Sequence, residues 1–280
     1  MAFPNMANGV ADDLTTAATT TYRIIRVPRA SPRLADLVTK SRATRLHILK
    51  TDPTALLAQH AVEEALPLEV WHKRFTHPEI TVLVCVATPS TTTDVSAPLG
   101  STNIASNTGI PDHETTTLLL EREWVAVAAL RGPVTYEDYY VTPDMGLPVP
   151  VDPETEARWH VFDLYTAPPH RGKGLARKLV TACIATAVAR TQHPDATQPL
   201  RKARIRLFMN PANAWLIRVY ESMGFKAEGK VTLEEGFRVN CLDESIPAGT
   251  SETEEGRARW HTRFGLAMER VVQVEHTQAL

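Results

Sequence analysis

The residues best suited to chemistry lie in Leu164-Tyr-Thr-Ala-Pro-Pro-His-Arg-Gly-Lys-Gly-Leu-Ala176. A strand-like run ends there, two prolines block its continuation, and a basic, glycine-containing turn opens a helix. At a helix start the first backbone N–H groups lack intrahelical partners and the helix dipole favours negative charge. Gly172 and Gly174 let an anion come close to the backbone, and Arg171 and Lys173 add countercharge. One helix end contributes only about 0.3–2 kcal/mol, so a pyrophosphate needs several donors together. On these local features alone, an anion cradle and a plain glycine-rich connector with surface cations both stay open. The nucleoside-triphosphate loop G-x-x-x-x-G-K-[ST] is absent, because Lys173 precedes Gly174 and neither Ser nor Thr follows. The dinucleotide fingerprint G-x-G-x-x-G is incomplete, because Arg177 stands where the third glycine belongs.

The surrounding elements would position this turn. Trp159 to Thr166 reads as the strand before it, and Ala176, Leu179, Val180, Cys183, Ile184 and Ala187 recur at helical spacing after it. Ala203 to Met209 alternates as a strand, and Asn213 to Met223 reads as a helix ended by Gly224. Earlier strands are expected at Tyr22–Val27, Thr81–Ala87 and Glu123–Leu130. A helix follows Ser31-Pro32, with Leu34, Leu37 and Val38 at helical spacing, and another spans Glu63 to Phe75 around Pro67. Two late strands, Ala227–Leu233 and Leu266–Val274, flank a polar loop. Residues 1–20 are polar and aperiodic and read as a disordered lead-in; 21–280 form one domain. Within it, a Ser/Thr-rich segment over 88–120, densest from Thr88 to Thr117, reads as a flexible insertion. Arg131 to Ala157 is a long connection. This order gives an α/β (α+β) chain with a mixed sheet covered by helices.

Two motifs now carry a resemblance. Arg171-Gly-Lys-Gly174-Leu-Ala176 resembles the R/Q-x-x-G-x-G/A motif of the GNAT superfamily of N-acetyltransferases. Asn213-Ala-Trp-Leu-Ile-Arg-Val-Tyr220-Glu-Ser-Met-Gly224-Phe225 is similar to the family's N-x-x-A-x-x-L-Y-x-x-x-G-F helix. Leu216 replaces the usual alanine and Val219 the leucine; both swaps are apolar. The resemblance implies a mostly antiparallel central sheet with a V-shaped splay between two parallel strands. It implies acetyl-CoA, or another short acyl-CoA, as co-substrate in that splay, and no metal.

Residue by residue, the resemblance implies that the backbone of Arg171, Gly172, Lys173, Gly174, Leu175 and Ala176 holds the pyrophosphate. The strand end Leu164, Tyr165 and Thr166 would pair with the pantetheine amides, and Asn213 would contact the same arm. Tyr220 would protonate the departing thiolate, a general-acid role; outside the family pattern it reads as a packing tyrosine. An amine acceptor must lose a proton before direct attack on the thioester, whose carbonyl a strand N–H would polarise. Some members place a glutamate on the strand before the pyrophosphate turn. Here that place holds His160, with Asp163 three residues on, and these are the candidate bases; a strand histidine without catalytic duty is the other reading. The alternative glutamate place, on the strand before the tyrosine helix, holds Phe208. Glu137 and Asp138 lie in the long connection and could attract a cationic amine, or be a solvated loop.

Composition excludes other classes. Lys plus Arg is 30 against 32 for Asp plus Glu, a net charge of −2, which gives no global drive toward nucleic acid or anionic membrane. Arg201-Lys-Ala-Arg204-Ile-Arg206 is short, lacks interleaved aromatics and reads as the polar face of a strand. No apolar run reaches the ~20 residues of a membrane span. The cysteines Cys85, Cys183 and Cys241 are far apart and form no CxxC, which disfavours a disulfide framework and a cysteine zinc site. A reducing, cytoplasmic setting is expected. The expected activity is acetyl transfer to a primary amine of a small molecule or amino acid. A protein lysine or N-terminus is the alternative acceptor, and an acyl-CoA-binding sensor or scaffold is the alternative class. A homodimer is one option for the assembly.

Overall fold

Branched and apolar residues at alternate positions build the strands, and proline divides the helices. The computed structural model describes residues 20–89, 104–105, 112–140, 145–192 and 200–275. The lead-in 1–19 and most of the Ser/Thr-rich segment fall outside them.

The chain runs β1 (Thr20–Arg26), α1 (Leu34–Thr51), α2 (His60–Ala65), α3 (Leu68–Thr76), β2 (Ile80–Pro89), β3 (Ile104–Ala105) and α4 (Asp112–Glu121). It continues with β4 (Trp124–Val134), α5 (Tyr136–Tyr139), β5 (Glu156–Thr166), α6 (Leu175–Gln192), β6 (Lys202–Met209) and α7 (Ala214–Glu221). β7 (Lys226–Thr232), α8 (Leu233–Val239), α9 (Glu254–Arg257) and β8 (Phe264–Gln273) close it. Pro67 takes the N-cap of α3 with φ −65° and ψ 156°, an extended conformation that splits the single helix expected over Glu63–Phe75 in two. Residues 112–120 of the expected insertion are helical, and Leu119 is buried with its carbonyl accepting from Trp124 Nε1 at 2.8 Å. The expected polar loop after β7 instead begins with α8, where Thr232 and Glu235 form a reciprocal capping box. Phe237 and Trp260 pack edge to face at 5.0 Å in a cluster with Leu49 of α1.

The sheet order is β3-β1-β2-β4-β5-β6-β8-β7. Only β1–β3 and β5–β6 are parallel, so the sheet is mixed and mostly antiparallel. On one face α6 and α7 cover Trp159, Val161, Ile205 and Leu207. On the other, α1, α3 and α4 cover Ile25, Val84 and Val86.

Further along this second face the strands bury charge rather than show it to water. Arg204 reaches both Glu156 oxygens at 2.8 and 3.0 Å and Glu269 at 2.9 Å. Tyr139 Oη donates to Glu269 at 2.6 Å, and Arg206 donates to the Tyr139 carbonyl and lies 3.9 Å from its ring centre. The basic run expected as a polar strand face is therefore an internal ion-pair layer. Removing one partner of such a layer leaves a buried charge uncompensated, at a cost of about 3–5 kcal/mol. Glu269→Ala is expected to lower the unfolding free energy by about that amount, read as a lower urea midpoint.

Candidate active site

β5 and β6 run in register from Glu156↔Lys202 to Val161↔Leu207 and then part. Beyond that point β6 keeps its partner β8 through Met209, while β5 continues along β4 to Thr166. The β5 edge over residues 162–166 thus faces a gap between two diverging strands. β5 also carries an extra residue: Phe162 pairs with Ala129, but Tyr165 pairs with Val127. Asp163 takes up the bulge with φ 52°, a left-handed conformation uncommon for a non-glycine residue. This breaks the alternation of faces. Val161 belongs to the α6-side core, whereas Phe162 and Asp163 both line a cavity on the opposite face.

Past the strand end, the turn into α6 places Gly172 at φ 75° and Gly174 at φ 73°, and a Cβ at either would meet no atom within 4 Å. These positions form an open cradle at the N-terminus of an 18-residue helix. Its cations are partly engaged. Arg171 donates to the Thr166 carbonyl at 2.9 Å and pairs with Asp52 at 2.5 Å. Lys173 donates to Tyr22 Oη at 2.8 Å, and that hydroxyl also meets His170 Nδ1 at 3.0 Å. Thr166 Oγ1 is buried with no hydrogen-bond partner at the strand end.

Tyr220 is buried on the α6 side near Cys183, its ring edge-on to Phe225 at 5.8 Å. Burial raises its pKa, so the phenol keeps its proton at neutral pH. Asn213 caps α7, its Oδ1 accepting from Leu216 N–H at 3.1 Å.

His160 and Asp163 part company. His160 is 0% exposed, 4.4 Å from the Phe208 ring centre, and its Nδ1 faces Arg206 Nε at 3.5 Å. Burial, then the charges of Arg206 and Arg131, push its pKa well below 6.5 and hold it neutral. It does not line the cavity that Asp163 reaches. That cavity lies between β5, α1 and α3 and ends at Asn240 and Leu242. Arg45 crosses it, binding Asp163 at 2.6 Å through Nη1 and both Glu63 oxygens at 2.6 and 3.0 Å through Nε and Nη2. Glu63 is fully buried, accepts from Ser245 at 2.7 Å, and Arg45 heads the influences that hold its pKa below the usual carboxylate range against the cost of burial. Asp138 of the long connection pairs with Arg131 at 3.4 Å, outside the cavity lining.

Arg45, Glu63, Trp71, Arg74 and Asn240 escape a reading of the sequence because they come from separate elements. One signal exists: Trp71 and Phe75 mark the buried stripe of α3, and Arg74 is a charge next to that stripe.

Residues 119–227 match the family model described as an acetyltransferase (GNAT) domain. No curated protein matches the chain. Among solved structures, a provisionally named acetyltransferase from Acinetobacter baylyi ADP1 is similar at 11% identity and TM-score 0.47, covering 91% of this chain and 93% of that one. Arabidopsis thaliana NAA60 in complex with acetyl-CoA is similar at 12% identity and TM-score 0.42, covering 91% and 99%. The ribosomal-protein-S18-alanine N-acetyltransferase of Escherichia coli is similar at 13% identity and TM-score 0.40, covering 93% and 99%. Among the described residues, no helix is long and apolar enough to cross a membrane, and no group of three or more His, Cys, Asp or Glu could hold a metal ion.

The buried histidine has a pH signature. His160 is neutral in the fold but takes a proton below about 6.5 once unfolded, so the unfolded state binds more protons as pH falls. Stability should therefore drop on acidification from pH 7 to 5, by at most about 1.4 kcal/mol per pH unit for one such group. In His160→Gln, urea unfolding at a series of pH values should show a shallower slope in that window. The further loss through the Glu63 titration, below 4.5, should remain.

Proposed function

We propose that the chain is an acetyl-CoA-dependent N-acetyltransferase acting on the primary amine of a small molecule or amino acid by direct attack. The observation that carries this reading is the parting of β5 from β6 after Val161, beside the open glycine turn at the start of α6. The unpaired β5 edge from Leu164 to Thr166 offers backbone donors and acceptors to the amides of a pantetheine arm. The unpartnered Thr166 Oγ1 is a further polar group on that path. The first N–H groups of α6 and the backbone of residues 171–174 suit a pyrophosphate, and Lys173 stands beside them. Acetyl-CoA supplies an activated acyl group.

The chain's own residues then divide the proton handling. Tyr220, kept protonated by burial, holds the proton that a departing thiolate requires. Asp163, at the bulge just before the open edge, presents a carboxylate to the cavity and is the group we assign to orient the amine and accept its proton. His160, sealed behind Phe208 and Arg206, holds the strand from within and is not the base in this reading.

Calorimetry with acetyl-CoA tests the donor half. Wild type should bind in the micromolar range, and Gly174→Glu, which puts a side chain and a negative charge into the cradle, should lose binding while still folded. Absence of binding by wild type would sink the proposal. In Tyr220→Phe, kcat should fall about 10²-fold or more with acetyl-CoA affinity retained. Tight binding by wild type without turnover of any amine would mark a CoA-binding module instead.

A further inference from the structure

The cavity beside Asp163 holds two arginines in opposite conditions. Arg45 is saturated: Nε, Nη1 and Nη2 each meet a carboxylate oxygen at 3.0 Å or less. Arg74 is not. Its Nη2 donates to Ser245 Oγ at 3.0 Å and Glu244 at 3.3 Å, and Nη1 stands 3.7 Å from Glu63, too far for a hydrogen bond. Glu63 is already taken by Arg45, and Glu244 is shared with Lys73 at 3.6 Å. Arg74 Nε and Nη1 are therefore buried without hydrogen-bond partners, on a side chain only 9% exposed. One helical turn earlier on α3, Trp71 Nε1 is also buried and unpartnered, under a guanidinium 5.5 Å from its ring centre. Burial lowers the Arg74 pKa, and its Glu63 and Glu244 neighbours do not offset this against the repulsion of Arg45. Leaving such donors unpaired is costly, and an anion accepting from them recovers that cost.

The far wall has the opposite chemistry. The Asp163 carboxylate is engaged by Arg45 through Oδ2, and the Asn240 side chain beside it also serves His160. An acceptor on β5 and donors on α3 thus line one cavity, with Phe75 and Phe162 among its apolar walls.

We infer that this cavity binds an acceptor carrying both a primary amine and a carboxylate, the amine at Asp163 and the carboxylate at Trp71 and Arg74. This rests on the N-acetyltransferase reading and narrows it: the substrate class is a free amino acid, preferably with an apolar side chain, and not the lysine or N-terminus of a polypeptide.

Matched pairs of acceptors test it: alanine, leucine, phenylalanine and tryptophan against ethylamine, isoamylamine, phenethylamine and tryptamine. With acetyl-CoA, thiol release by the full chain should give kcat/KM at least tenfold higher for the better amino acids than for their decarboxylated partners. That ratio should collapse below about threefold in Arg74→Met. Trp71→Phe, which removes the indole N–H and leaves a smaller aromatic ring in its place, should lower it in part through KM, and where it folds it guards against loss of folding in the arginine variant. Equal or better use of the decarboxylated amines, or turnover of a peptide amine alone, would overturn the inference. Failure of the donor half is recognised separately, by calorimetry with acetyl-CoA. Even then, titration of the chain with the N-acetyl amino acids against the corresponding N-acetylamines decides whether the cavity selects a carboxylate. No preference in that titration overturns it.

Discussion

One extra residue in β5 sets up everything on the working side of this sheet. Without the bulge at Asp163, alternation would send that carboxylate to the α6 side with Val161 and leave Phe162 alone on the opposite face. With it, two consecutive side chains look into the same cavity and the strand bends away from β6 where their pairing ends. A left-handed aspartate has a conformational cost, and Arg45 holds it. Arg45 is itself fixed by Glu63, a carboxylate with no solvent exposure that Ser245 also satisfies. The local deformation at the site is thus secured by a relay running from β5 through α1 to α2.

The helix carrying Arg45 serves the other half of the site as well. Asp52, the C-cap residue of α1, pairs with Arg171 of the glycine turn, and Tyr22 of β1 receives Lys173 and meets His170. One helix therefore touches the bulge at its middle and the anion cradle at its end. An anion arriving at the cradle competes with Asp52 for Arg171, a half-exposed pair that contributes little to stability by itself. The two ends of the cleft are in this way mechanically joined without passing through the strand gap between them.

The elements proposed to hold the donor were legible because their signals are local. Gly172, Gly174, Asn213 and Tyr220 lie in turns and helix ends whose sequence rules are short-range, and each stands in the element expected for it. The cavity proposed for the acceptor was not legible. Arg45 and Glu63 lie 18 positions apart on different helices, and Ser245 is 182 from Glu63, so no spacing rule joins them. His160 was read by counting positions along the strand, which places the residue but not its neighbours. It shares the face of Phe162 yet is covered by Phe208 and Arg206, and the bulge three residues later brings Asp163 to the cavity. α8 was missed for a related reason: its apolar residues pack on α1 rather than along their own helix, and the polar composition around them reads as loop.

Unpartnered buried atoms do not all mean the same thing. Arg206 Nη2 also has no hydrogen-bond partner, yet it belongs to a fully buried side chain in the closed layer between β5, β6 and α5. It borders no described cavity, and there the cost is borne by the ion pairs and rings around it. Arg74 and Trp71 differ because the same absence of partners coincides with open space. Arg204 and Arg45 supply the contrast from the other direction, since their carboxylate partners raise both guanidinium pKa values despite burial. A buried cation whose partners satisfy it holds the fold together. One that is short of partners and borders a cavity has donors to offer a ligand, and in this chain that distinction separates two arginines of a single cavity.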